Sequence, residues 1–237
     1  MRAFIIAGGE GTRLRPYTYS TPKPMLRLGG KPILEYVIEN LRRCEIKNIT
    51  ITVGYLHQQI IDHFGDGSKF GVKIDYIIEK KYRGTAGALS DLKGKIKEPF
   101  FVLMGDHITN IDLKKMHQSH KKSQSIATIA LFKSRTQIDF GVATRKDEYI
   151  SGFVEKPLLE HEFNTGIYLF EAEALDFVED GDDFAKNVFP KILSKKEKIG
   201  AYPFDDVWFD IGRVADYDRL VELFSVIKFF RDVEGKI

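Results

Sequence analysis

Residues 3–25 read AFIIAGGEGTRLRPYTYSTPKPM, and this stretch determines which fold the rest of the chain is expected to follow. Ala3 to Ala7 form an apolar run without polar alternation. Such a run is typical of a strand buried on both faces, as in a parallel sheet covered by helices. A turn with three glycines follows at once, and glycines after a strand let backbone N–H groups approach phosphates. The opening therefore predicts an anion-binding loop at the end of a central strand.

Strand and helix patterns alternate through the first half of the chain. Apolar runs like the first return at 49–53 and 100–104, and apolar residues at helix spacing occupy 33–44 and 56–64. Repeated β-α-β units imply a parallel sheet with right-handed crossovers, and a ligand site at the carboxyl ends of its strands. The pattern therefore predicts an α/β fold.

The second half is richer in short strand patterns, which occupy 126–132, 140–144, 150–154 and 164–170. Helix patterns follow at 184–194 and 214–231. The last helix carries apolar residues away from its main face, namely Val221, Val226 and Phe229. They are compatible with additional core burial or with a homo-oligomer, and the sequence leaves both open.

The composition excludes several classes of protein. The chain has 237 residues, 43% of them hydrophobic, which suits one domain with one core. A formal net charge of +2 is too balanced for sequence-independent binding of nucleic acid. No apolar run approaches the ~18 residues of a membrane span, and the apolar start is shorter than the about 7 to 15 residues of a signal-peptide core. We expect a cytoplasmic protein with no nucleic-acid or membrane partner, in which the single Cys44 is a buried apolar residue.

The glycine turn does not match the common nucleotide-binding motifs. Gly9 and Gly11 lack the third glycine of G-x-G-x-x-G, because Leu14 stands there, and no G-K-[ST] is present to form a P-loop. The loop instead continues for a dozen residues and carries two cations, Arg13 and Lys23. Two cations beside a glycine turn indicate a ligand with several phosphate charges.

The whole stretch GGEGTRLRPYTYSTPKPM at 8–25 resembles the signature of the sugar-1-phosphate nucleotidyltransferases, G-G-x-G-T-R-L-x-P-x-T followed by P-K-P. The resemblance implies a three-layer αβα, Rossmann-like fold of the nucleotide-diphospho-sugar transferase type, with a mixed, mostly parallel sheet. It also implies that Arg13 contacts the outgoing β- and γ-phosphates and that Lys23 reaches the α-phosphate. The residues implied to hold the nucleoside triphosphate at this loop are Ala7, Gly8, Gly9, Gly11 and Thr12.

Two aspartates end apolar runs far apart in the chain, Asp106 in FFVLMGD and Asp210 in VWFDIG. Either could be a turn or helix cap. Both could instead converge on Mg²⁺, which prefers one or two carboxylates together with substrate phosphates. The family resemblance implies that these two positions, in L-x-G-D and W-x-D-I-G, coordinate the catalytic magnesium.

Two later motifs resemble the sugar-binding part of the same family, FVEKP at 153–157 and FNTGIYLF at 163–170. Polar groups of fixed geometry reject a wrong hydroxyl pattern, because a buried unpaired group is costly. The resemblance implies that Lys156 binds the sugar phosphate and that Glu155 binds hydroxyls, with Asn164 and the backbone at Gly141 assisting.

The segment EKKYRGTAGAL at 79–89 resembles the nucleobase loop, in particular the L-G-T-A-G of mannose-1-phosphate guanylyltransferases, with Arg83 for the leucine and Tyr82 for the usual proline. Glu79 matches the position that reads the base edge, and Gly84 and Thr85 belong to the same nucleotide-binding loop. A carboxylate only accepts hydrogen bonds, so it suits guanine, which offers adjacent N1–H and N2–H donors. Some uridylyl members also carry Glu there.

We therefore expect residues 1–237 to form one catalytic domain, without the C-terminal β-helix of some longer members. The expected reaction converts a nucleoside triphosphate (GTP) and a sugar 1-phosphate (mannose 1-phosphate) to a nucleotide sugar and pyrophosphate, with Mg²⁺. The alternatives are a uridylyl- or thymidylyltransferase acting on glucose 1-phosphate or an N-acetylated sugar 1-phosphate, and a non-catalytic regulatory subunit that binds nucleotide sugars. His117 and His120, three apart on a lysine-rich helix, are expected on its solvated face.

Overall fold

A computed structural model of the chain describes the backbone of residues 1–234 and the side chains of residues 1–227. In that range the strands are β1 (Arg2–Ala7), β2 (Arg27–Leu28), β3 (Lys31–Pro32), β4 (Asn48–Val53), β5 (Lys73–Ile78), β6 (Phe100–Met104), β7 (His107–Thr109), β8 (Ala127–Gln137), β9 (Val142–Lys146), β10 (Tyr149–Val154), β11 (Leu158–Phe170), β12 (Ile199–Phe204) and β13 (Trp208–Asp210). The α-helices are α1 (Ile33–Arg43), α2 (His57–Phe64), α3 (Leu113–Ser123), α4 (Phe189–Ser194) and α5 (Val214–Glu234).

Seven of these strands form one sheet in the order β12-β8-β11-β6-β1-β4-β5. Four neighbouring pairs are parallel, β1 with β4 and with β6, β4 with β5, and β12 with β8. Strand β11 is antiparallel to both of its neighbours, β6 and β8. The expected mixed, mostly parallel sheet is confirmed.

The two faces of the sheet are covered by separate apolar clusters, because alternate residues of a strand point to opposite faces. In β1, Ala3 and Ile5 lie in a cluster with residues of α1, α2 and α3. Phe4 lies in a second cluster with residues of α4 and with aromatic residues such as Phe170. Helices therefore lie on both faces of the sheet, and the three-layer αβα architecture is confirmed.

Strands β8 and β11 extend beyond this core as a two-stranded ribbon, which together with the β9–β10 hairpin we call the arm (residues 133–163). The ribbon pairs Lys133 with Glu162 and Gln137 with Leu158, and β9 and β10 form a sheet of their own. Both ribbon strands are longer than their predicted patterns at 126–132 and 164–170. The arm's side chains are largely exposed, including large apolar ones such as Phe140 and Tyr149. Strands β9 and β10 overlap the patterns predicted at 140–144 and 150–154.

The expectation that His117 and His120 share a solvated helix face is wrong for His120. His120 is 1% exposed, because its spacing from Leu113 and Met116 places all three on the buried face of α3. Its Nδ1 lies 2.7 Å from Thr128 Oγ1 and its Nε2 lies 3.1 Å from Glu171 Oε1. His120 is therefore a buried histidine with a partner for each ring nitrogen.

Helix α5 starts on the core and then presents apolar side chains to solvent. Tyr217 and Leu220 are buried in a third cluster with Leu14 and Ile33. Val221 and Val226, which we noted as lying off the main face, are exposed. Phe229 lies outside the residues whose side chains are described. A homo-oligomer stays a prediction.

Two further expectations concern single features. Cys44 is 7% exposed and lies among the apolar residues of the first cluster, as expected. The helical pattern at 184–194 forms a π-helical turn (Phe184–Val188) followed by α4. The first turn of α4 contains Pro190, which has no N–H to donate to a preceding carbonyl.

Within the described residues, no helix combines the length and the apolar character needed to cross a membrane.

Candidate active site

A cleft of about 510 Å³ opens where β1 and β6 end. This is the carboxyl edge of the parallel strands, where open α/β sheets bind ligands. The residues that line the cleft are Ile6, Ala7, Gly9, Glu10, Gly11, Thr12, Arg13, Leu14, Lys23, Pro24, Tyr82, Thr85, Met104, Gly105, Asp106, His107, Asp210 and Gly212. Nine of the predicted site residues are among them.

The glycine turn forms one wall of the cleft. Gly11 has φ of 64°, and a side chain there would come within 3.0 Å of Thr18 and 3.2 Å of Lys23, so the turn needs glycine. Thr18 Oγ1 donates to the carbonyl of Gly11 at 2.8 Å and fixes the turn. Gly9 has open space around its Cα, which leaves its backbone accessible to a ligand. Gly8 is buried and lies behind the turn, against Glu79.

The two predicted cations of the loop occupy different environments. Lys23 begins a short 3₁₀ turn (Lys23–Met25), is 8% exposed, and donates from Nζ to Asp106 Oδ2. Arg13 is exposed and its guanidinium lies beside Gly212, on the Asp210 side of the cleft. A buried lysine needs a charged partner, and Asp106 supplies it.

The ends of two strands, β6 and β13, bring Asp106 and Asp210 together. Asp106 follows β6 directly, whereas Asp210 is positioned by the antiparallel pairing of β13 with β7, in which Asp210 lies opposite His107. His107 Nε2 lies 3.4 Å from Asp106 Oδ1 and 3.4 Å from Asp210 Oδ1. One ligand atom from each of the three side chains lies within 4.8 Å of the others. The sheet register thus brings together two carboxylates from distant parts of the chain.

The charges of this cluster shift the pKa values of Asp210 and His107. The hydrogen bond from His107, and then the positive charges of His107, Lys23 and Arg13, lower the pKa of Asp210, although partial burial opposes the shift. Burial acts to lower the pKa of His107, but the two aspartates outweigh burial and raise it above its ordinary value. The cluster therefore favours the ionised carboxylate of Asp210 at neutral pH.

His107 is a site residue that our sequence prediction missed. It immediately follows Asp106, and the only signal was this adjacency, since a single histidine beside an aspartate has many structural explanations. Its meeting with Asp210 depends on the β7–β13 pairing, and three-residue strands leave little trace in a pattern of apolar residues.

The predicted nucleobase loop borders the cleft on another side. Tyr82 and Thr85 line the cleft, and the Tyr82 side chain is 64% exposed. Thr85 Oγ1 donates to Asp183 Oδ2 at 2.9 Å, and Gly84 packs against the backbone of Asp182. The loop is therefore anchored to residues 182–183 while its aromatic ring stays exposed at the cleft.

Arg83, which stands where the resembled motif has leucine, holds this loop in place. Its guanidinium donates to both carboxylate oxygens of Asp91, at 2.6 and 3.0 Å, and its Nε donates to Asp180. A guanidinium forms such forked pairs better than any other side chain. These contacts hold the backbone next to Tyr82 in place.

Glu79 lies at the end of β5 and does not line the cleft itself. It is 8% exposed, and its Oε1 lies 2.6 Å from the position that a Cβ atom on Gly8 would occupy. Its Oε2 is buried with no hydrogen-bond partner among the described residues. Burial raises the pKa of Glu79, although the backbone of Arg83 and the nearby Thr52 hydroxyl oppose the shift. This carboxylate therefore retains an unused acceptor behind the glycine turn.

The four predicted sugar-binding residues belong to the arm or its base, and none is among the residues that line the described cleft. Gly141 lies next to Glu155, whose Oε2 is 2.7 Å from the position of a side chain on Gly141. Lys156 is exposed with φ of 46°. Asn164 accepts from the backbone of Gly166 at 3.0 Å. The structure thus brings Gly141 and Glu155 together, but it does not place any of the four residues among those that line the cleft.

Asp106, His107 and Asp210 have the chemistry of a divalent-cation site. Carboxylate oxygens are the ligands that Mg²⁺ prefers, and Asp106 keeps Oδ1 for a cation because Lys23 takes Oδ2. Asp210 is 44% exposed at its side chain, so solvent and substrate oxygens can reach the same point. The donor set therefore fits a divalent ion.

The sheet order and the cleft at its carboxyl edge define the class: an α/β domain of the nucleotide-diphospho-sugar transferase fold. One solved structure of similar fold is HddC from Yersinia pseudotuberculosis complexed with GMP-PN, with a TM-score of 0.73 and 27% identity. The alignment covers 94% of this chain and 99% of that one. The chain belongs to the nucleotidyl transferase family, whose model matches residues 2–223.

Two relatives are similar over most of this chain. A UTP–glucose-1-phosphate uridylyltransferase of Synechocystis sp. is 37% identical over 242 residues, covering 92% of this chain and 61% of the relative. A mannose-1-phosphate guanylyltransferase of Mycobacterium tuberculosis is 31% identical over 225 residues, covering 92% of this chain and 62% of the relative. The chain thus spans about three fifths of the length of these relatives.

Proposed function

We propose that this chain is an enzyme that transfers a nucleoside monophosphate from GTP to mannose 1-phosphate, giving a nucleotide sugar and pyrophosphate. The observation that carries the proposal is the meeting of Asp106 and Asp210 around His107, opposite a glycine turn and beside Lys23. Family membership and the names of the relatives support the reaction class.

The reaction brings two anions together, and the cations of the cleft would offset their repulsion. Two unit charges ~4 Å apart repel by about 4 kcal/mol at an effective dielectric of 20. Arg13 is exposed at the cleft and free to follow the outgoing β- and γ-phosphates. Lys23 is buried beside Asp106 and would contact the α-phosphate from a fixed position. A fixed cation stabilises developing charge without reorganisation.

In the proposed reaction an oxygen of the sugar 1-phosphate attacks the α-phosphorus in line. The new P–O bond forms as the bond between the α-phosphorus and the bridging oxygen breaks, and that oxygen leaves with pyrophosphate. Mg²⁺, held by Asp106 and Asp210, would neutralise charge on the phosphoryl oxygens when bound. The protein contributes positioning and electrostatics, and no covalent enzyme intermediate is required.

The choice of GTP depends on Glu79 and on the loop that follows it. The unpartnered Oε2 of Glu79 would suit the adjacent N1–H and N2–H donors of guanine, provided that the side chain turns from behind the glycine turn toward the cleft when the nucleotide binds. Tyr82 offers an exposed ring at the cleft on which a base can stack. Backbone groups at Gly8, Gly9, Gly11 and Thr12 would contact the phosphates, with Gly84 and Thr85 bordering the base.

The sugar 1-phosphate would bind on the arm side of the cleft. Lys156 would contact its phosphate, and Glu155 and Asn164 its hydroxyls, with the backbone of Gly141 assisting. The proximity of Gly141 and Glu155 supports a shared binding surface. Mannose is proposed because the nucleobase loop is similar to that of guanylyltransferases that act on mannose 1-phosphate.

A second candidate is a uridylyltransferase acting on glucose 1-phosphate, which the 37% identity to the Synechocystis relative favours. A thymidylyltransferase or an enzyme for N-acetylated sugar phosphates belongs to the same group of alternatives. A regulatory subunit that only binds nucleotide sugars would be expected to lose a cation or a metal-binding carboxylate. Arg13, Lys23, Asp106 and Asp210 are all present here.

The test is pyrophosphate release from GTP, UTP, dTTP and ATP, each combined with a panel of sugar 1-phosphates, with and without Mg²⁺. The proposal expects release that requires Mg²⁺ and is greatest with GTP and mannose 1-phosphate. Preference for UTP or dTTP would replace the guanylyl assignment by the second candidate. Nucleotide-sugar binding without turnover on any pair would establish the regulatory alternative.

A further inference from the structure

We propose that His107 is a third protein ligand of the divalent cation, and that its imidazole makes the site bind Mn²⁺ in preference to Mg²⁺. This inference rests on the cation site of the proposed function and specifies its ligands. The observation behind it is that His107 Nε2 faces one carboxylate oxygen of each acid, at equal distances of 3.4 Å.

The separations of His107 Nε2 from the two carboxylate oxygens suit neighbouring ligands of one ion. At a metal–ligand distance of about 2.1 Å, ligands at right angles lie about 3.0 Å apart. The observed 3.4 Å separations are only slightly larger, so small side-chain movements would close the shell around a cation. The bound imidazole would be neutral, with its proton on Nδ1 and the Nε2 lone pair directed at the ion, so the proton that Nε2 shares with Asp210 would be released on binding. Asp106 keeps Oδ1 for this purpose because its other oxygen is bound to Lys23.

The surroundings of His107 hold its ring at this point. The side chain is 12% exposed, and the ring meets Trp208 edge to face with centroids 5.6 Å apart. Gly166, at φ of 72°, leaves room on the other side, since a side chain there would come within 3.0 Å of His107 Cε1. The ring therefore has little freedom to turn away from the two aspartates.

A comparison within the chain separates His107 from an ordinary buried histidine. His120 uses both ring nitrogens, one on Thr128 and one on Glu171, as a structural histidine does. His107 directs Nε2 at two carboxylates, while its buried Nδ1 has no hydrogen-bond partner among the described residues. Its polar contacts are thus confined to the cation site.

The chemistry of the donor set determines which ion it favours. Mg²⁺ is a hard ion that takes oxygen ligands almost entirely, whereas imidazole nitrogen suits first-row transition ions. A site with two carboxylates and one imidazole should discriminate in favour of Mn²⁺. Removal of the imidazole should reduce that discrimination, which a purely structural role of His107 would not do.

The experiment uses the full chain without nucleotide, with Mn²⁺ as the probe. Mn²⁺ affinity is measured by electron paramagnetic resonance, Mg²⁺ affinity by competition, and nitrogen coordination by spin-echo modulation of the bound Mn²⁺. The variants are His107→Asn, which leaves an oxygen ligand at the position, and His117→Asn on α3 as the control. Circular dichroism and thermal unfolding establish that each variant is folded.

We expect nitrogen modulation in the wild type and in His117→Asn, and its loss in His107→Asn. We also expect Mn²⁺ affinity to fall about tenfold or more in His107→Asn, with a smaller loss for Mg²⁺. Bound Mn²⁺ without nitrogen modulation in the wild type, or modulation that persists in His107→Asn, would overturn the inference. Because the measurement needs no turnover, a chain that shows the nitrogen signal but no pyrophosphate release would refute the proposed function alone.

Discussion

Asp106 and Asp210, which end apolar runs far apart in the sequence, present carboxylate oxygens within 4.8 Å of each other on either side of His107. The position of Asp210 follows from its pairing opposite His107 in the β7–β13 ladder. The position of Asp106 follows from the end of β6. Two separate structural elements therefore have to be in register for the site to exist.

Substitution of either aspartate should abolish transfer in a chain that still folds, although Asp106→Asn should also lower the free energy of unfolding because the buried Lys23 loses its charged partner. Asp106→Asn and Asp210→Asn keep the side-chain volume but remove a negative charge that would hold the divalent cation. Without that cation the repulsion between the anionic substrates is no longer offset, so kcat should fall by about 10²- to 10³-fold or more. Pyrophosphate release checks the rate, and thermal unfolding checks the fold. Asp75→Asn, on the exposed face of β5, is the control. Full activity in either site variant would remove the metal assignment.

Glu79→Gln should stabilise the protein while it weakens the use of GTP. Burial raises the pKa of Glu79 in the folded state, so the ionised form is disfavoured there relative to the unfolded chain. The gain in the free energy of unfolding should therefore be full above the raised pKa, and should vanish as the pH falls below the unfolded value of about 4.3.

Urea unfolding between pH 8 and pH 4 measures this gain, with Glu148→Gln in the exposed β9–β10 turn as the control. In the same variant, kcat/KM for GTP should fall by about tenfold or more, because a glutamine donor would oppose the donors of guanine. A GTP rate that does not change would contradict the proposed contact between Glu79 and the base.

Tyr82→Ala should raise the KM for the nucleotide, and Tyr82→Phe should not. An aromatic ring that stacks on a base contributes about 1–3 kcal/mol, which corresponds to roughly 5- to 150-fold in affinity. Phenylalanine keeps the ring and loses only the hydroxyl. Initial rates at varied GTP and saturating sugar 1-phosphate give the KM of each variant for GTP. Equal KM values in both variants would show that the ring does not contact the base.

Lys156→Ala should raise the KM for the sugar 1-phosphate and leave the KM for the nucleotide unchanged. Lys156 is exposed on the arm and is not among the residues that line the described cleft, so we expect its charge to act on the second substrate. Loss of one cation on a phosphate should cost about 1.5–3 kcal/mol of binding. The control is Lys146→Ala in β9. If both KM values rise together, Lys156 does not act on the sugar phosphate alone.

His120→Ala should destabilise the fold, in contrast to His117→Ala on the same helix. Removal of the buried imidazole leaves Thr128 and Glu171 without their partner, which should lower the free energy of unfolding by about 1–3 kcal/mol. His117 has a less buried position, and its loss should change stability by about 0.5 kcal/mol or less. Denaturant titration compares the two, and similar losses would contradict the assignment.

Much of the fold could be predicted because its signals are local. Apolar runs at Ala3–Ala7 and Phe100–Met104 correspond to central strands, and the alternation with helices determines the layers. The spacing of Leu113, Met116 and His120 also indicates that His120 is buried, but the neighbouring lysines favoured the prediction of a solvated face. In the arm, β9 and β10 overlap the patterns predicted at 140–144 and 150–154, whereas the extensions of β8 and β11 beyond 126–132 and 164–170 were not predicted.

The sequence by itself determined that a glycine turn with two cations follows the first central strand, and that two aspartates stand at the ends of apolar runs. These are short-range properties, since strand formation and turn chemistry depend on neighbouring residues. Only the tertiary structure decided that Asp210 lies opposite His107 and that Glu79 has a buried, unpaired oxygen. It also decided that the arm residues do not line the cleft. Contacts of this kind depend on strand register and on packing between distant segments, and neither leaves a local pattern in the chain.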